Sequence, residues 1–290
     1  MIRFILTAVT ALLLLTCCTS TPDGRRRLTV SIPAQKWLLD SIVGNRFEVL
    51  SMLSDGANPE VFEPSISQMT SMEHSEAYFT VGGLPFEQAT MHRIKENFPS
   101  MRIIDTDRYI DHVTGTHHHH HGDECHDDGA DPHTWSSLRN ARAMARAMYE
   151  DVVRLDPAGK KHYTARYRDL DHHLKELDDS VAAALRPYHG RAVLVWHPSL
   201  SYFVRDYGLK QISIENEGKE ASPAQYRRQI DLARSQEPLV FFLQREFDSR
   251  QGASMAEELG LRTAEISVME ADIPRQIRKL TNDITSASHN

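Results

Sequence analysis

The sequence predicts an α/β protein made of two parallel-sheet lobes joined by one long rigid helix. Three observations carry that prediction. Short apolar runs alternate with helical segments from residue 28 to about residue 106, and the same alternation resumes after residue 190. Between these regions Tyr163, Tyr167, Leu170, Leu174, Leu177, Val181 and Leu185 recur at three- and four-residue steps, with neither Gly nor Pro from 160 to 186. Strand–helix alternation implies crossover connections and parallel sheets. An uninterrupted 3.6-residue stripe of that length implies a single helix as long as a domain is wide.

Taken in order, "RLTVSI" (27–32) and "FEVLSML" (47–53) read as strands, with a helix from Gln35 to Val43 between them. "AYFTVG" (77–82) and "MRIIDT" (101–106) are further buried strands, separated by helices around 65–75 and 86–97. A helix over 136–155 follows, and then the long one, with Asp156 as N-cap and Pro157 at its first position. "AVLVWH" (192–197), "QISIE" (211–215), "LVFFLQ" (239–244) and "RTAEISV" (262–268) restore the strand pattern. One of the intervening helices opens at Ser222, with Pro223 at N1 and Gln225 at N3.

The N-terminus "MIRFILTAVTALLLLTCCTSTPDG" has an apolar run too short to span a bilayer, which is the pattern of an export signal. "LLTCC" resembles a lipobox, with Cys18 (or Cys17 in a second register) as the acylated residue. The expected division is a lipoprotein signal peptide at 1–18, a tether at 19–27, an N-terminal lobe at 28–155 and a linking helix at 156–187. A C-terminal lobe at 188–290 completes it. Cys125 is the one cysteine beyond the leader, so an internal disulfide framework is excluded. The expected product is exported, periplasmic or on the cell surface, and lipid-anchored to a membrane. A net charge of −7 without a basic stripe argues against nucleic acid as a partner.

No glycine-rich dinucleotide or phosphate loop, zinc-protease helix motif or nucleophile elbow is present, and the sequence reads as a non-enzyme. Eight of the sixteen histidines instead lie between residues 112 and 133, among acidic residues, in a His-rich loop at 111–131. His117, His118, His119, His120, His121 and His126 form its centre. Such a stretch is too polar to build a core and is rich in neutral imidazoles near pH 7. It reads either as a low-affinity metal collector or as a solvated loop. Three further residues sit where strands end or helices begin: Glu60 in "GANPEVFEPSISQM", His133 in "GADPHTWSS" and His197 in "VLVWHPSLSYF". Ligands of open α/β sheets bind outside the carboxyl ends of strands, so these loops are candidates to converge. Two imidazoles and a carboxylate suit a divalent transition metal.

With "GANPEVFEPS", "GADPHTWSS", "VWHPSLSYFVRDYGL", "IENEGKEASP" and "FFLQREFDSR" in this order, the chain resembles the zinc- and manganese-type metal-binding lipoproteins of bacterial ABC transporters (cluster A-I) across residues 28–288. The resemblance implies one metal held between two lobes. His133 and His197 match the second and third ligands of that family, and Glu60 stands where the first, commonly a histidine, is found. Ser267 occupies a position that is acidic in some members, which leaves Glu265, Glu270 or a water as fourth ligand. Zn²⁺ is the implied ion, with Mn²⁺ or Fe²⁺ as alternatives because Glu60 makes the donor set harder. The implied partners are a cognate permease and ATPase, the membrane through the lipid anchor, and no second subunit. A surface lipoprotein for metal sequestration or adhesion is the alternative.

Overall fold

The computed structural model describes residues 25–114, 129–215, 223–247 and 250–287. Cys17, Cys18, Ser222, the histidines 117–121 and 126, and most of the sequence "IENEGKE" lie outside the described residues.

The first lobe runs β1 (Arg26–Val30), α1 (Pro33–Val43), β2 (Phe47–Ser51), α2 (Ile66–Met72), β3 (Ser75–Thr80), α3 (Pro85–Asn97) and β4 (Arg102–Asp105). Its four strands are parallel, in the order β2-β1-β3-β4. Two long helices follow, α4 (Leu138–Leu155) and α5 (Lys160–Leu185). The second lobe runs β5 (Ala192–Val195), α6 (Ser201–Tyr207), β6 (Lys210–Ser213), α7 (Pro223–Gln236), β7 (Phe241–Gln244), α8 (Arg250–Leu259), β8 (Thr263–Ile266) and α9 (Ile273–Ala287). Its parallel strands repeat the first sheet's topology as β6-β5-β7-β8. In each sheet the connections turn opposite ways from the first strand. A crevice therefore opens at the carboxyl ends of the strands, where α/β sheets bind ligands.

Local chemistry sets the element ends. α1 and α3 each start on a proline, whose fixed φ suits the first helical turn. α2 begins with a capping box: the Ser65 hydroxyl accepts from the Gln68 amide, and the Gln68 side chain accepts from the Ser65 amide. It ends at Met72 rather than near residue 75, because Ser75 already begins β3. α6 closes on Gly208 at φ 66°, a left-handed value that glycine adopts without strain.

The linking helix differs from expectation at its start. Residues Pro157–Gly159 form a 3-10 turn, and α5 proper is the 26-residue helix Lys160–Leu185. Asp156 makes no capping bond. Its carboxylate instead accepts from Arg46 Nη2 at 2.7 Å and from the Tyr163 hydroxyl, tying the helix start to the first lobe. Burial opposes that charge, but Tyr163 and Arg46 outweigh it and hold the carboxyl below its usual range. Gly159 is required by close approach, since a Cβ there would stand 2.5 Å from the Tyr163 ring.

α5, about 39 Å long, buries Tyr163, Leu170, Leu174, Leu177, Val181 and Leu185. It packs against α1 of the first lobe and α9 of the second. One contiguous set of buried side chains accordingly runs from Leu28 through α4 and α5 to Ile284. A smaller cluster around Leu194, Phe241 and Met255 covers the other face of the second sheet. α9 had no place in the sequence reading, although Ile273, Ile277, Leu280 and Ile284 recur at helical spacing and are fully buried. No helix among the described residues is long and apolar enough to cross a membrane.

Candidate metal centre

Glu60 lies in the turn between β2 and α2. The Asn58 side-chain oxygen accepts from the Glu60 backbone N–H at 2.9 Å, an Asx turn that fixes the local backbone. Phe62 anchors the loop by an edge-on contact with Phe86, ring centres 5.0 Å apart. Val61 between them is 75% exposed, while Glu60 reaches inward to within 3.8 Å of the imidazole of His133.

His133 follows the rigid dipeptide Asp131-Pro132. Asp131 Oδ1 accepts from the His133 backbone N–H at 2.8 Å and from its Nδ1 at 2.9 Å, which places the proton on Nδ1 and leaves Nε2 as a donor atom. The next three residues, Thr134–Ser136, make a 3-10 turn before Ser137 caps α4. Within it Trp135 Nε1 donates to the Val268 carbonyl of the second lobe at 2.7 Å.

His197 stands two residues beyond β5. Gln244 at the end of β7 pins it from both sides: its Oε1 accepts from the His197 N–H at 2.8 Å and its Nε2 donates to the His197 carbonyl at 2.9 Å. Phe247 stacks on the imidazole with ring centres 4.4 Å apart. Behind the ring, Glu215 Oε2 lies 3.6 Å from His197 Nδ1. That is too long for a hydrogen bond, and both atoms are buried without a partner.

These three side chains converge between the lobes. His133 Nε2 and His197 Nε2 are 3.2 Å apart, and Glu60 Oε1 is 3.8 Å and 3.6 Å from them. The point equidistant from the three atoms in their plane lies about 2 Å from each, the length of a zinc–nitrogen or zinc–oxygen bond. Among the described residues this is the one group of three or more His, Cys, Asp or Glu side chains placed to hold a metal ion. Both imidazoles are nearly inaccessible, and Glu60 keeps 20% of its side chain exposed on the open side.

The two histidines are tuned in opposite directions. Burial works against the charged form of His133, but the Asp131 carboxylate, with help from Glu60, outweighs it and raises the pKa. For His197 burial dominates, the neighbouring His133 adds to it, and the pKa falls. Relative to a free imidazole, protonation of His133 is favoured and that of His197 is disfavoured, and a bound metal competes with the proton on both rings.

The remaining acidic candidates do not join the cluster. Glu265 points out of β8 and pairs with Arg245 at 2.9 Å, its side chain 68% exposed, because alternation along β8 sends Ala264 and Ile266 inward instead. Glu270 turns toward the start of α9, accepting from the Asp272 N–H at 3.5 Å. Ser267 is buried and donates to Glu246, whose carboxylate also takes the Val268 and Met269 N–H groups at 3.1 and 3.2 Å. The sequence reading missed Asp131, Glu215, Gln244 and Phe247. The histidines they serve lie two residues from Asp131 but far along the chain from the others, so only Asp131 carried a local signal.

Comparison with known proteins agrees with the two-lobed fold. The crystal structure of ZnuA superposes with a TM-score of 0.82 at 28% identity, over 90% of this chain and 98% of that one. The zinc-binding protein AdcA of Streptococcus pyogenes serotype M3 (strain ATCC BAA-595 / MGAS315) is 22% identical over 253 residues, 82% of this chain. The chain spans about half (49%) of AdcA. The manganese-binding lipoprotein MntA of Halalkalibacterium halodurans is 25% identical over 209 residues, 70% of this chain and 66% of its own. Residues 28–285 match the profile of the ZnuA family, zinc-uptake complex component A, periplasmic, and with this site between its lobes the chain belongs to that family.

Proposed function

We propose that the protein captures Zn²⁺ outside the cytoplasm, with Glu60, His133 and His197 as ligands and a water in the fourth position, and hands it to an ABC-type permease driven by its ATPase. The observation that carries this reading is the triangle of two Nε2 atoms and one Oε1, with sides of 3.2, 3.6 and 3.8 Å. Two nitrogens and one oxygen suit zinc, and the carboxylate also accommodates Mn²⁺ or Fe²⁺. A lipid on Cys18, or on Cys17, would keep the protein at the membrane beside its permease, and the binding unit is a monomer.

Metal analysis and competitive calorimetry on protein lacking residues 1–18 test the proposal. One tight equivalent of Zn²⁺ per chain is expected, with weaker equivalents on the histidines of 117–126. Absence of a tight equivalent for Zn²⁺, Mn²⁺ and Fe²⁺ alike would end it. Deleting residues 116–127 is expected to remove weak equivalents while the tight one and the unfolding temperature stay unchanged. That expectation follows because the segment has no apolar periodicity with which to support a core. A marked drop in the metal-free unfolding temperature would contradict it.

The linking helix also limits the motion that releases the ion. A packed helix bends sharply only at Pro, a Gly pair or a bulge, and α5 contains neither residue type. Solution scattering is therefore expected to change little between metal-free and Zn²⁺-loaded protein. A large contraction on loading would show that α5 is not a rigid spine.

A further inference from the structure

We propose that Tyr202 is a positioning residue for the metal centre, acting from the second lobe on the backbone of Asp131, the residue whose carboxylate orients His133. The proposal rests on the reading of Glu60, His133 and His197 as ligands, and it adds a group that touches none of them.

Tyr202 lies on α6, five residues after His197, and is fully buried. Its hydroxyl donates to the Asp131 carbonyl at 2.6 Å. That is the short end of the hydrogen-bond range. On the other side the phenol oxygen faces the Val113 N–H at 3.4 Å and His112 Nδ1 at 3.3 Å. The Asp131 N–H in turn donates to the Val113 carbonyl at 2.9 Å. The two chain segments flanking residues 115–128 thus meet at one phenol of the opposite lobe. Arg205, one turn further along α6, adds a bond of 2.6 Å to the Asp111 carbonyl and stacks over the Tyr202 ring at 4.9 Å. Burial, with Asp131 adding to it, pushes the phenol up to about 12, so it remains a neutral donor at neutral pH.

The geometric consequence is specific. Asp131 is clamped at its carbonyl by Tyr202 while its carboxylate grips the backbone N–H and Nδ1 of His133. The helix that begins just after His197 therefore also fixes the ring plane of His133. Outer partners of metal-bound histidines typically govern affinity by about 10- to 100-fold.

The test compares Tyr202→Phe with Tyr207→Phe. Tyr207 is also buried on α6 and donates to Asp178 at 2.8 Å, away from the metal centre, so it reports what loss of a buried hydroxyl does to the fold alone. Zn²⁺ affinity is read by chelator competition and the site geometry by the visible spectrum of the Co²⁺-loaded protein. Tyr202→Phe is expected to weaken Zn²⁺ by about tenfold and to alter the Co²⁺ spectrum, whereas Tyr207→Phe leaves both unchanged. Equal affinity and spectrum in Tyr202→Phe and unaltered protein would overturn the proposal, as would equal weakening in both variants. Should Tyr202→Phe fail to fold, a fluorotyrosine placed at 202 keeps the hydroxyl but strengthens it as a donor. A Co²⁺ spectrum that shifts with fluorination at 202 and not at 207 supports the role, and an unmoved spectrum at 202 overturns it. Failure of the unaltered protein to bind any metal would overturn the ligand assignment itself. Normal binding with an indifferent residue 202 overturns this proposal alone.

Discussion

Replacing His197 by alanine is expected to weaken Zn²⁺ binding by at least about a thousandfold, a loss of about 4 kcal/mol. The imidazole supplies one of only three protein donors in the cluster. The two that remain, Glu60 Oε1 and His133 Nε2, are 3.8 Å apart, the longest side of the triangle. Two donors at that separation hold an ion no better than many surface pairs do. The fold should survive, because Gln244 bonds to the backbone of residue 197 and not to its side chain. The space vacated beneath Phe247 will cost some stability, which thermal unfolding separates from the loss of binding. In the double variant His133→Ala, His197→Ala the tight equivalent should vanish while weak equivalents on the histidines of 117–126 persist. If the double variant titrated with unchanged high affinity, the metal would have to sit elsewhere in the chain.

The same cluster shows which parts of a candidate site are legible in a sequence. Glu60, His133 and His197 were readable because each follows a strand or opens a helix, the positions at which an α/β sheet presents ligands. Asp131 was within reach, since an Asp-Pro-His run places a carboxylate over the imidazole two residues on. Glu215, Gln244 and Phe247 were not. Their roles depend on β5 standing between β6 and β7, and strand order is a tertiary fact with no local signal. Glu265 was misplaced for a related reason. Nearness in sequence to the last strand's end suggested a ligand, while the period-2 alternation of β8 sends that side chain to solvent. Among the elements, α5 was visible from its stripe, but its first turn was not. Asp156 has the composition of a cap, yet Arg46, 110 residues away, takes its carboxylate. Partners so distant in the chain outcompete a local capping bond whenever the fold brings a guanidinium and a phenol to the same oxygen.

Acidification should release the ion in two stages. Metal requires the Nε2 lone pairs of both histidines, so each proton bound to the metal-free site costs affinity about tenfold per pH unit below the corresponding pKa. His133 is the first to matter. Its pKa is raised: burial opposes the charge, but Asp131 and Glu60 outweigh burial. The affinity is therefore expected to be flat above the raised value, and to fall by about one decade per unit as the pH drops through it. His197 follows at lower pH, because burial, together with the charge on His133, depresses its pKa below the ordinary value. Once both are protonated the fall steepens to about two decades per unit. Chelator competition across about pH 8 to pH 5 measures both slopes. Asp131→Asn separates the causes, since it removes the carboxylate that raises His133 while an amide oxygen can still accept from Nδ1. The first break should then move to lower pH, and the plateau affinity should fall as the imidazole loses its charged partner. A profile without a break over this range, or a break that stays in place in Asp131→Asn, would show that His133 is not the proton that the metal displaces.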